Sequence, residues 1–371
     1  MAMAYGEQTS LAERKRRAGQ RLVVGLAGTS PDPSFRAFVD AASPAGFILF
    51  RRNVEEPAQV RELNRELASM VRDDCPALLS VDQEGGRVQR VRAVQWPPLR
   101  TVGNVGHLAS TRRFANALAD EVRALGFNLN YAPVADVDSN PANPIIGDRS
   151  FGRDPQMVAR HVAAYVQATQ DRGLIACAKH FPGHGDTSVD SHLDLPVVEK
   201  EWPELEQTEL VPFRAAVDAG VGVVMTAHVV FPEFDEQVPA TMSRRILHGL
   251  LRERLGYDGV VISDDLEMKA VRGRYALERQ LDLACRATVD LFCVSESLDL
   301  CWEAFETLVR LQEQDKVHDD AAVDSFRRLA ALRERFFLEG PPPPPVSLVG
   351  TMEHKMLAET LRARGGEGGT A

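Results

Sequence analysis

Short runs rich in Val, Ile, Leu and Phe recur along the chain: RLVVGLAG (21–28), GFILF (46–50), ALLSVD (77–82), FNLNYAPVADV (127–137), GLIACAKH (173–180), GVVMTAH (222–228), GVVISDD (259–265) and VDLFCVS (289–295). Their apolar stretches are continuous rather than alternating, which fits strands covered on both faces. Between them lie helical patterns, among them EPAQVRELNRELASMVRD (56–73) and STRRFANALADEVRALG (110–126), with apolar residues three to four apart and Gly126 closing the second as a C-cap. Strands alternating with helices imply parallel βαβ units. Eight such units predict an α/β fold of the (β/α)8 TIM-type barrel class. A doubly wound sheet is the rival, but the G-x-G-x-x-G turn that would mark its first strand is missing from GLAGTS.

Since such barrels take roughly 250 residues, a length of 371 residues leaves one large domain with extensions and two domains both open. The expected organisation is an N-terminal extension or helix over 1–20, a single catalytic barrel over 21–340, and a Pro-rich segment with a C-terminal tail over 341–371. The prolines of PPPPPVSLVG (341–350) cannot continue a helix, so the domain is expected to end near residue 340, with a tethered or disordered tail beyond it that carries one short helical pattern, MEHKMLAETLRARG. A composition of 44% hydrophobic and 26% charged residues is that of a globular protein. The net charge of −10, with no Lys/Arg-rich tract, argues against nucleic acid. No h-region opens the chain and no run approaches the ~20 apolar residues of a membrane span, so the expectation is a cytoplasmic protein that does not engage a membrane. The five cysteines have no C-x-x-C pair and are expected to be buried thiols, forming neither disulfides nor a zinc site.

In a parallel barrel the active site is built at the C-terminal ends of the strands, so the polar residues just past each run are the ones to collect. They are Asp82 with QEGGRVQR, Asp136 and Asp138, Lys179 and His180, His228, and Asp264 with Asp265. Any one of them alone reads as a helix cap or a solvated loop residue. Their concentration on one rim asks for a ligand.

The densest stretch is KHFPGHGDTSVDSH (179–192). His180, His184, Asp186, Asp190 and His192 could supply metal ligands, but Pro182, Gly183 and Gly185 exclude the single helical face that makes an H-x3-H pair a chelate. A phosphate cradle lacks the G-K-[ST] ending of a P-loop. Acid/base chemistry suits the residues better: Asp190 two positions from His192 lets a carboxylate raise the imidazole pKa and fix its tautomer. Asp264, at the tip of VVIS, is the best candidate for a nucleophilic carboxylate, with Asp265 as a helix N-cap beside it.

KHFPGHGDTSVDSHLDLP, VVISDDLEM and SVDQEGGRVQR together resemble the family-three glycoside hydrolases, in particular the single-domain β-N-acetylhexosaminidases that act on peptidoglycan fragments. The resemblance covers approximately residues 20 to 335. It implies that Asp264 is the nucleophile that forms a glycosyl-enzyme, and that His192, held by Asp190, is the general acid/base. It further implies that Asp82, Arg90, Arg149, Lys179 and His180 grip the sugar hydroxyls, with no metal and no cofactor. The expected activity is retaining exo-hydrolysis of terminal β-linked N-acetylglucosamine from muropeptides by a monomeric enzyme. Phosphorolysis on the same fold, a glucosidase-like specificity and a catalytically silent sugar-binding protein are the alternatives. For Asp82 and Arg90 the plain reading is a structural ion pair beneath the rim; for His180 and His228 it is a satisfied core histidine. Glu84 and His184 receive no role, and FPGHGD is expected to be a mobile hinge for His192.

Overall fold

The structure, a computed structural model, describes residues 9–72, 74–187, 195–338 and 340–366. Asp190 and His192 therefore lie outside the described residues.

Eight parallel strands appear in the order of the apolar runs: β1 (Leu22–Gly25), β2 (Gly46–Leu49), β3 (Leu78–Val81), β6 (Leu129–Asn130), β7 (Ile175–Phe181), β8 (Val223–Thr226), β9 (Val260–Ile262) and β10 (Phe292–Val294). A short antiparallel hairpin, β4 (Gln83–Gly85) and β5 (Val88–Gln89), follows β3. The sheet runs β10-β1-β2-β3-β6-β7-β8-β9, every pair parallel. The parallel bridge Ile262↔Leu291 joins its two ends into a barrel. The long run 127–137 is the least regular wall. Pro133 has no N–H to give, the ladder shrinks to Leu129–Asn130, and pairing resumes only at the bridge Val134↔Lys179.

Alternation along each strand divides the core in two. Val23, Ile48, Leu78, Ile175, Cys177, Val223, Val260, Ile262 and Cys293 point into the barrel, and Leu329, Leu332 and Phe336 plug its floor. The neighbouring residues Val24, Leu49, Leu79, Ala176, Ala178, Val224 and Val261 face outward into the layer of helices. The same alternation sets the top of the barrel. Two positions past Ser80, Cys177 and Ile262 come Asp82, Lys179 and Asp264, each carried toward the mouth by the period of its strand.

The helices start and stop where local chemistry dictates. Asp32 caps Pro33–Ala42 by accepting from the Phe35 amide at 2.8 Å, and Asp154 caps Pro155–Asp171; each has proline at its first turn. Leu108–Ala124 ends as expected, with Gly126 at φ 90° just past the cap. Asp265 is not a helix cap: the following helix, Lys269–Arg272, has Met268 at its N-cap, and Asp265 instead accepts from the Glu267 amide at 3.0 Å in an Asx turn. At the N-terminus, Leu11–Gly19 packs on the helices Leu298–Gln314 and Lys316–Arg333. The tail is tethered by structure rather than by chain alone. A helix over Met352–Gly365 packs against Leu99–Asn104 and Leu108–Ala124. All five cysteines are buried and free, and no helix among the described residues is long and apolar enough to cross a membrane.

Candidate active site

The mouth of the barrel holds a chain of buried charges. Lys179, at the end of β7 and 2% exposed, places Nζ 2.8 Å from Asp82 Oδ1 and 2.6 Å from Glu84 Oε1. Asp82 also accepts from Arg90 Nη2 at 3.0 Å. Glu84, on β4, receives both arms of Arg149, Nε at 2.9 Å and Nη2 at 2.8 Å, the bidentate geometry that suits a guanidinium to a carboxylate. Burial alone pushes the Glu84 carboxyl up, but Arg149 and Lys179 outweigh it and hold the group down at about 2. The balance is the same at Asp82, where burial is overcome by Lys179 and Arg90 and the carboxyl stays well below its ordinary range. Burial works against the Lys179 ammonium too, and the two carboxylates raise its pKa in spite of it.

The network is not saturated. Among the described residues the Arg90 side chain makes one hydrogen bond, to Asp82, and its Nε is buried without a partner. Its guanidinium lies over the Phe50 ring, 5.3 Å from the centroid, which holds it flat and leaves its other N–H groups for a ligand.

Asp264 follows β9 and is half-buried, accepting from the Asp265 amide at 2.8 Å. Burial pushes its carboxyl up; the imidazoles of His180 and His228, the Asp265 amide and the Lys179 ammonium reverse this and lower its pKa. An ionised carboxylate with open surface stands at the centre of the mouth. Its neighbour Asp265 has the opposite fate. Burial raises it to about 7, against a hydrogen bond from Ser295 Oγ.

Asp136, fully buried, organises the histidines. It accepts from His180 Nδ1 at 2.8 Å and from the His180 and His184 amides at 3.2 and 2.7 Å. With Nδ1 held by the carboxylate, the orientation of the His180 ring is fixed. His184 has Nδ1 on Thr187 Oγ1 at 2.8 Å, and burial, aided by His180, lowers its pKa to about 4, so it is neutral at neutral pH. His228 is a satisfied core histidine, with Nδ1 on Thr241 Oγ1 at 2.8 Å and Nε2 on the Asp265 carbonyl at 3.0 Å.

The structure thus brings Asp82, Arg90, Arg149, Lys179, His180 and Asp264 to one end of the barrel. It adds Glu84 and Asp136, which sequence reasoning left without a role. Asp136 belongs to the rim by its place after an apolar run; nothing local marks Glu84, whose partner lies 65 residues away. The hinge expected in FPGHGD is not what these residues form. Positions 181–185 are buried; Gly183, at φ 144°, has room for no Cβ beside Glu209, and a Cβ at Gly185 would stand 1.6 Å from the Val137 carbonyl. The two glycines serve close packing. Among the described residues no group of three or more His, Cys, Asp and Glu side chains is placed to hold a metal ion.

Residues 19–332 match the glycosyl hydrolase family 3 N-terminal domain. The chain belongs to that family. It is 35% identical over 316 residues to a Beta-hexosaminidase of Nitrosomonas eutropha, covering 82% of this chain and 88% of that protein. The family 3 β-N-acetylglucosaminidase of Paenibacillus sp. superposes with a TM-score of 0.89 at 37% identity, over 95% of this chain and 68% of that one. That coverage runs past residue 332, so this family 3 likeness extends into the C-terminal segment. NagZ of Neisseria gonorrhoeae, solved in complex with N-trifluoroacetyl-D-glucosamine, superposes with a TM-score of 0.77 at 28% identity, over 93% of this chain and 98% of that one.

Proposed function

We propose that this family 3 enzyme is a retaining exo-β-N-acetylglucosaminidase, a β-N-acetylhexosaminidase by class, that releases terminal β-linked N-acetylglucosamine. The aglycone it is read to act on is the anhydromuramoyl peptide of cell-wall recycling, handled by a cytoplasmic monomer. The observation that carries the reading is Asp264: a carboxylate held ionised yet half open at the mouth, beside a buried charge network with unused donors. The relatives named Beta-hexosaminidase and NagZ, the latter holding an N-acylated glucosamine, support the sugar.

In this reading Asp264 attacks the anomeric carbon and forms a glycosyl-enzyme, which water then hydrolyses with retention. His192 gives its proton to the leaving oxygen and later takes one from the water; an imidazole with an ordinary pKa of ~6.5 can serve in both states, and Asp190 holds its tautomer. Asp82, Arg90, Arg149, Lys179 and His180 hold the hydroxyls, with the acidic groups accepting and the cationic groups donating.

Mass spectrometry after treatment with a 5-fluoro glycosyl fluoride tests the nucleophile: the label is expected on the peptide containing Asp264, and a label elsewhere refutes the assignment. The proton donor is tested by His192→Ala, which is expected to lose turnover of substrates with poor leaving groups far more than of activated aryl glycosides. Equal losses would argue against it. Exhaustive EDTA treatment is expected to leave turnover unchanged.

A further inference from the structure

Among its contacts with the body of the protein, the C-terminal segment reaches the loop that carries Arg90. Glu121, buried on the helix Leu108–Ala124, is a three-way junction: Oε2 accepts from Trp96 Nε1 at 3.0 Å, while Oε1 meets the Gly350 amide at 2.8 Å and His354 Nδ1 at 2.9 Å. The His354 ring also packs on Trp96, 5.8 Å between centroids. Gly350 sits so close to Ala93 that a Cβ there would stand 3.3 Å from the alanine's own, and Arg362 donates to the Gln95 carbonyl. Three successive contacts, at Ala93, Gln95 and Trp96, therefore fall on one loop.

That loop carries Arg90. Its return path is tied by two glutamine side chains and one backbone bond: Gln89 exchanges hydrogen bonds with the Trp96 backbone at 3.2 and 3.3 Å, Gln83 Oε1 accepts from the amides of Arg90 and Val91 at 2.9 and 3.1 Å, and the Gly86 amide donates to the Trp96 carbonyl at 2.9 Å. Trp96 is thus the point through which the tail and the Arg90 loop are fastened to each other. Among the described residues the Arg90 side chain has one ion pair and one aromatic contact, so where its guanidinium lies depends on where the loop backbone holds it.

We infer that the C-terminal segment, residues 341–366, is a strut that positions the Arg90 loop for sugar binding, with His354 and Arg362 as positioning residues acting through Trp96 and Gln95. The buried junction at Glu121 explains how a segment remote from the chemistry acts on it. Loosening the loop leaves Arg90 chemically intact but lowers the fraction of molecules in which its donors are preorganised, which weakens substrate binding more than turnover.

The inference rests on the reading of Arg90 as a sugar-holding residue, and two measurements on the full chain separate the two. Hydrogen–deuterium exchange of peptides spanning 86–98 tests the strut alone. His354→Ala and Arg362→Ala are each expected to speed exchange there by tenfold or more; unchanged protection in both overturns the strut. Kinetics on nitrophenyl N-acetylglucosaminide then test its consequence. His354→Ala is expected to raise KM at least fivefold with kcat within twofold, and to add nothing further in an Arg90→Ala background. A lowered Tm with unaltered KM, or losses that add to those of Arg90→Ala, overturns the positioning role. If Arg90→Ala itself leaves KM unchanged while exchange responds to the tail, the strut stands and the role of Arg90 in sugar binding falls.

Discussion

At both ends of the barrel a buried carboxylate lies between cationic side chains, but the two ends use their hydrogen bonds differently. At the N-terminal end Asp290, fully buried, accepts from Arg252 Nη2 at 2.7 Å, the Val261 amide at 2.8 Å, Ser325 Oγ at 2.9 Å and Arg328 Nη1 at 3.0 Å. Those four bonds fill the acceptor sites of a carboxylate. Arg252 is equally complete, its remaining N–H groups going to Thr288 Oγ1 and the carbonyls of Tyr257, Gly259 and Thr288. At the C-terminal end Arg90 makes, among the described residues, one bond of five possible, and Asp264 is half-buried. The contrast teaches that buried charge alone does not mark a site. Capacity left unused does. Cavity size misleads here as well, because a cleft of about 510 Å3 lies beside the closed end, lined by Arg252, Asp258 and Arg328, whose charges are already paired.

The sharpest way to break this comparison is Asp264→Asn. It is expected to lower kcat by at least about 10^3-fold on nitrophenyl N-acetylglucosaminide, as removal of a nucleophile does, with Tm nearly unchanged. A variant that keeps a tenth of the parent rate would show that the open carboxylate is not the reacting group. Asp290→Ala should do the reverse. It strands Arg252 and Arg328 in the interior and should cost about 3–5 kcal/mol in urea unfolding, while kcat/KM of the folded fraction stays within about twofold. A loss of activity without a loss of stability would put the function at the wrong end.

Arg149→Ala takes one charged partner from the mouth. The expected loss in kcat/KM is about 2–3 kcal/mol, a factor of roughly 30–150. Unaltered kcat/KM with a lowered Tm would make the Arg149–Glu84 pair purely structural. The smallest effect concerns pH. The folded-state pKa of Glu84 lies at about 2, below its ordinary 4.5, so its contribution to stability is full above about 4.5 and is lost as pH falls through 2. Chemical denaturation across this window should show stability falling with acidification, and Glu84→Gln should flatten that part of the curve. An unchanged slope would mean that Glu84 does not titrate in this range.

Much of the fold was legible because it is local. The eight runs predict the eight strands, and Gly126 ends its helix, since strand period, helix period and αL caps depend on residues a few positions apart. The run 127–137 forms less strand than its apolar pattern implies, because Pro133 has no N–H to give the ladder and half of its neighbours are Asn, Asp or Ala. The tail helix is legible too, since the helical pattern MEHKMLAETLRARG becomes the helix Met352–Gly365, but nothing in it tells that Glu121 waits 229 residues away for the Gly350 amide.

The candidate site divides along the same line. Asp82, Lys179 and Asp264 could be named as rim residues because each comes at the end of an apolar run, and in a parallel barrel those strand ends build the mouth. What they do to one another could not be named. Lys179 meets Asp82 across 97 residues and Arg149 meets Glu84 across 65, contacts that exist only once the barrel closes. The sequence by itself determined which side chains reach the mouth, through where its apolar runs end. Only the tertiary structure decided that Asp264 stays ionised and open while Asp290 is sealed, because ionisation and exposure are set by the charges and amides that distant segments bring to a buried group.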